Sequence, residues 1–156
     1  MKFLIASVLL ICFSLVAQAQ GNSTRSPTLC DALGKQIADK IGGALDSQSS
    51  SESEISLRVK DASDLKVACS SDKQQAPSIF IRTESANPTA AFYKLLADAG
   101  RALTGLSLRR LNKGAHNCHR ASLGAIDGRS NKGVRRLSFE CHTSESFSTF
   151  RFYKTS

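Results

Sequence analysis

Tryptophan is absent from this chain and tyrosine occurs only twice, so a hydrophobic core has to be assembled mainly from Leu, Ile, Val and Phe. No apolar run is long enough to cross a bilayer. The longest covers residues 3–17, short of the roughly 18 residues that a spanning helix needs, so a soluble mature protein is expected. Also missing are a glycine-rich phosphate loop, a serine-nucleophile elbow and an HExxH zinc motif. The commonest nucleotide-binding, serine-hydrolase and metalloprotease chemistries are therefore without support, and no cofactor or metal is expected. Residues 101–136 lack aromatic side chains, which argues against a surface that stacks single-stranded bases.

The apolar run follows a basic Met1-Lys2 and ends in Ala17-Gln18-Ala19, the small-x-small form that signal peptidase reads. Residues 1–19 are expected to be a cleaved signal peptide, residues 20–27 a flexible polar tail, and residues 28–156 a single domain. Export to a periplasm or to the extracellular space follows. Asn22-Ser23-Thr24 fits the N-glycosylation pattern, a three-residue match of low specificity. Cys12 leaves with the leader, and Cys30, Cys69, Cys118 and Cys141 remain, an even set in an oxidising compartment. Two disulfides are expected, with three pairings open. Cys69 and Cys141 fall on inward strand positions, and Cys118 is the cysteine nearest to Cys141 in sequence. Both features favour Cys30–Cys69 with Cys118–Cys141.

Charge is unevenly placed. Residues 20–100 hold 9 Lys/Arg against 10 Asp/Glu, a net of −1, whereas residues 101–156 hold 11 against 3, a net of +8. An even spread would serve solubility equally well. Concentration in one part creates a local positive field that draws anionic partners.

Apolar residues every four positions (Leu29, Leu33, Ile37, Ile41, Leu45) predict a first helix, capped by Thr28 and followed by a Ser-rich connector at 47–53. Period-two alternation predicts strands at 55–59, 65–69 and 79–81. Asn87-Pro88 marks a second helix with Phe92, Leu95, Leu96, Ala99 and Leu103 inward. Residues 112–133 read as a long basic loop. A closing hairpin pairs the strand at 136–142 with that at 147–153, so that Phe139 faces Phe150 and Leu137 faces Phe152. No internal repeat is visible. The expected fold is α+β, about five mainly antiparallel strands on two helices in the order α-β-β-β-α-β-β.

Three constellations carry chemistry. The outward face of the hairpin offers Glu140, His142, Arg136 and Arg151, with Ser138, Thr149 and Tyr153. A carboxylate or imidazole to move protons and guanidiniums to hold a phosphate suit phosphodiester cleavage. A polar sheet face is also what antiparallel sheets ordinarily show to water. His116, Cys118, His119, Cys141 and His142 have zinc-ligand chemistry, but in no established spacing, and export favours disulfides over thiolates. The basic set is Arg109, Arg110, Lys113, Arg120, Arg129, Lys132, Arg135 and Arg136, groups that hold phosphate, sulfate or carboxylate.

The reading that follows is a non-enzymatic exported binding protein. Its basic C-terminal half would engage an acidic protein, such as an enzyme or toxin to be neutralised, or another anionic macromolecule such as a polysaccharide or lipid headgroup. The alternatives are a small ribonuclease-like enzyme using the hairpin face, for which nucleic acid becomes the partner, and a structural envelope component.

Overall fold

The computed structural model describes residues 29–46, 51, 53–69 and 76–155. The leader, the tail, the Thr28 cap and most of the Ser-rich connector lie outside these residues. Three helices, α1 (Leu29–Ile41), α2 (Ala90–Thr104) and α3 (Leu108–Leu123), lie with seven strands. These are β1 (Ala44–Asp46), β2 (Glu54–Arg58), β3 (Asp64–Ala68), β4 (Ser78–Thr83), β5 (Arg129–Val134), β6 (Leu137–Thr143) and β7 (Ser148–Lys154). All pair antiparallel in one sheet ordered β1-β2-β3-β4-β7-β6-β5. The α+β class stands, with two more strands and one more helix than the hydrophobic pattern indicates.

Four readings need correction. Leu45, the last residue of the α1 stripe, belongs to β1, because Gly42 at φ 67° ends the helix. The second helix is capped by Thr89, whose hydroxyl accepts the Phe92 N–H at 3.2 Å, with Pro88 outside it. Residues 112–133 are not a loop but most of α3, a short connection and most of β5. The buried face of α3 is made of Leu111, Gly114, Ala115, Cys118, His119 and Ser122. Small and polar residues hide a helical period that large apolar ones would reveal. Lastly, the hairpin register is shifted by two: Phe139 faces Phe152, Cys141 faces Phe150 and Leu137 faces Lys154. A shift of two keeps every side chain on its face, so the inward and outward sets survive.

The inward face joins the helices through Ile55, Leu65, Val67, Ile79, Ile81, Leu137, Phe139, Phe150 and Phe152, all buried. Phe150 meets Phe92 at a ring distance of 5.4 Å, and Phe139 meets Phe152 at 5.8 Å. Disulfides join Cys30 to Cys69 and Cys118 to Cys141. Two such bonds are characteristic of proteins that fold in an oxidising environment.

The topology repeats where the sequence does not. α1-β2-β3-β4 and α3-β5-β6-β7 are each a helix followed by a three-stranded meander, and β4 pairs with β7 at the centre. In each half a disulfide ties the helix to the middle strand or the residue just after it.

Candidate functional site

The second half presents its cations along α3 and β5. Arg109, Arg110, Lys113 and Arg120 lie on the exposed side of α3, opposite the buried positions 111, 115, 118 and 122. The connection to β5 is short, so β5 runs back along α3. A Cβ at Gly114 would touch Val134, which brings the β5–β6 turn to the end of the molecule where α3 begins. That turn is Arg135-Arg136, with Arg135 at φ 56°. Arg129 and Lys132 stand on β5 itself, on opposite faces. All eight basic residues of the expected set are exposed.

Ion pairing separates the two halves. Arg58 pairs with Asp46, Lys66 with Glu54 and Asp64, Arg82 with Glu84, and Lys94 with Asp98. Among the described residues, none of the eleven cations from Arg101 onward has an acid partner within 4.0 Å. Two of the three acids of this half are engaged otherwise: Asp127 accepts the Arg129 backbone N–H at 3.1 Å, and Glu140 accepts the Tyr153 hydroxyl at 3.1 Å.

The sheet face turned away from the helices is polar. One row of facing residues runs through Ser56, Lys66, Phe80, Arg151, Glu140 and Asn131. A cleft of about 620 Å³ opens over its far half, lined by Phe80, Arg129, Asn131, Glu140, His142, Thr149 and Arg151 among others. Of the four residues singled out for catalysis, three line this cleft. Arg136 does not, because it belongs to the turn, where its carbonyl accepts the Thr155 N–H. Phe80, Asn131 and Arg129 are cleft residues that the hairpin pattern alone could not supply, since β4 and β5 bring them in. His142 meets the Phe147 ring edge-on at 5.4 Å, and Arg82 lies over the same ring at 4.5 Å.

The groups weighed as zinc ligands are divided between the two sides of the sheet. Cys118 and Cys141 are bonded to each other, and His142 is on the open face. On the helix side, His119 donates from Nε2 to the Ala86 carbonyl (2.9 Å), and its Nδ1 is hydrogen-bonded to the Tyr93 hydroxyl at 2.6 Å. Ser148 donates to the same carbonyl, and Ser122 donates to the His119 carbonyl. Burial pushes the Tyr93 hydroxyl up to about 12 and lowers His119, the latter opposed by its bond to Ala86. His116 stacks on Tyr93 at 3.7 Å and is lowered by burial, then by the His119 and Arg120 charges. This network joins α2, α3, β7 and the loop before α2.

No family model matches the chain, and neither a curated protein nor a solved structure is found to resemble it. The functional reading rests on the molecule itself.

Proposed function

We propose that this is an exported, disulfide-bonded binding protein whose basic half engages an acidic macromolecular partner. The carrying observation is the division of ion pairing. Among the described residues, four of the seven cations of the first half (Arg58, Lys66, Arg82 and Lys94) pair with acids, whereas none of the eleven from Arg101 onward does, and eight of those stand exposed on α3, β5 and the turn between β5 and β6. Unpaired like charge focuses a field and accelerates association with an anion. It is also placed against stability. Arg109 and Arg110 stand in the first turn of α3, which has no acid, at the positive end of the helix dipole. Cations there cost about 0.3–1 kcal/mol each at low salt.

Reversing both arginines (R109E with R110E) therefore separates binding from folding. Retention on heparin and association with an acidic protein should fall steeply, and fall further with salt. The melting temperature should hold or rise. E140Q and H142A should leave retention intact. Weak retention that ignores the reversals would overturn the reading.

The cleft favours a second reading, cleavage of RNA. Glu140 or His142 would move the protons, and Arg129 and Arg151 would hold the phosphate. Cleavage that disappears in both E140Q and H142A while the fold persists would replace the binding reading with this one.

A further inference from the structure

The sheet has two edges. β1 is three residues long, whereas β5 is six and pairs on one side only, with β6. The Thr143 N–H donates to the Gly128 carbonyl at 2.8 Å, which sets the phase of this ladder. Backbone groups alternate in an antiparallel pair. Ser130, Lys132 and Val134 thus turn theirs to β6, and Arg129, Asn131 and Gly133 turn theirs outward. The Arg129 N–H agrees with this phase, since the Asp127 carboxylate receives it. That leaves the N–H groups of Asn131 and Gly133 and three carbonyls on the open edge.

We propose that this edge docks an extended acidic peptide segment, which adds to the sheet as a further strand. The proposal rests on the anionic-partner reading above and names the partner's chemistry as protein. Main-chain pairing supplies affinity in such an addition, and side chains supply selectivity. The ladder with β6 is regular over six pairs and contains no proline. Around Gly133 no atom lies within 4 Å of where a Cβ would stand, so the open sheet face beside this edge has room for an incoming strand's side chains. Arg129 flanks the edge on the open sheet face and Lys132 on the α3 face. An incoming strand with alternating acids therefore meets one of these two cations whichever face its acids occupy. A second copy of this edge would set cation against cation, which is unfavourable across a strand pair. Cations also guard edges against aggregation, but a single lysine can suffice for that. Here the charge surrounds an unbroken run of free backbone groups and selects what may pair with them.

The test uses the purified exported protein and a short synthetic peptide alternating Glu and Thr. A second peptide has the same sequence but is N-methylated at the alternate amides that would face β5. The plain peptide should bind, and N-methylation should weaken it about tenfold or more at unchanged charge, through lost backbone hydrogen bonds. Gly133→Pro removes one outward N–H and no ladder bond, and edges tolerate proline. It should weaken the plain peptide similarly while heparin retention and the melting temperature hold. Equal binding of the two peptides overturns the edge proposal and leaves the basic surface standing. Indifference of both peptide and heparin to R109E with R110E overturns the reading beneath it. A heparin fragment that binds far more tightly than the peptide at matched charge overturns the choice of protein as partner.

Discussion

Gly114→Ala measures how closely α3 must approach the sheet. In an exposed helix interior this change would stabilise by about 1 kcal/mol, since glycine is the poorer helix former. At position 114 the new Cβ would lie 2.7 Å from Phe139 Cε2 and 2.9 Å from Val134 Cγ2. Phe139 is fully buried and its ring packs on Phe152 at 5.8 Å, so it has little room to retreat. Overpacking of this kind costs roughly 1–3 kcal/mol. The steric cost exceeds the propensity gain, and a net loss of about 1 kcal/mol is expected. Gly124→Ala is the control. Its Cβ would meet nothing closer than 3.9 Å, and its stability should stay within about 0.5 kcal/mol of the wild type. In a Phe139→Leu background the shorter side chain makes room, so Gly114→Ala should cost less, with a coupling of about 0.5 kcal/mol or more. Urea unfolding with an unchanged slope reads all of these. A Gly114→Ala protein with a higher midpoint than wild type, or strict additivity with Phe139→Leu, would refute the close approach.

The hairpin register is read by a second cycle. Phe139→Leu with Phe152→Leu should show coupling of about 0.5–1.5 kcal/mol, and Phe139→Leu with Phe150→Leu markedly less; the reverse order would restore the other register. His119 has its pKa lowered from the usual 6.5 by burial, so the unfolded chain takes up the proton first. Stability should be full above about pH 6.5 and fall as the pH drops from there to the folded pKa, a slope that His119→Gln should flatten in melting curves; a level wild-type profile would contradict the buried neutral ring. Replacing Cys118 and Cys141 together by Ser should cost about 2–4 kcal/mol in chemical unfolding, and a negligible loss would mean that α3 is held by packing alone.

The parts of the fold readable from sequence were those whose signal comes from large side chains. Ile55 facing Val67, Leu65 facing Ile81, and the inward Phe139 and Phe152 announce strands by size and alternation. α3 and β5 are silent for opposite reasons. α3 packs with Gly114, Ala115 and Ser122 because it comes too close for larger groups. As an edge strand, β5 has only Val134 as an apolar inward contact, so its alternation is between polar residues. The basic residues were identifiable individually, but their common surface depends on α3 and β5 lying antiparallel, which neither pattern discloses. The cleft was half legible: Glu140, His142 and Arg151 come from one hairpin. Phe80 and Arg129 arrive only because β4 pairs with β7 and β5 with β6.

The two halves allow a comparison within one molecule. Both contain a helix and a three-stranded meander with a disulfide from the helix to the middle strand or the residue after it, the first half adding the short β1 outside β2, so both answer a similar folding problem. In the first half α1 carries Asp31 and Asp39 against Lys35 and Lys40, and the cations of β2, β3 and β4 have acid partners. In the second half α3 carries four Lys/Arg and no acid. Neutral charge thus satisfies this architecture, and nothing in the packing of α3 calls for cations, since they point away from the core. Two of them oppose the helix dipole and lower stability. Residues that break a local rule without repayment inside the fold are expected at functional positions. By that criterion the α3–β5 surface is where the proposed binding should be sought, and its sign is the ground for proposing an acidic partner.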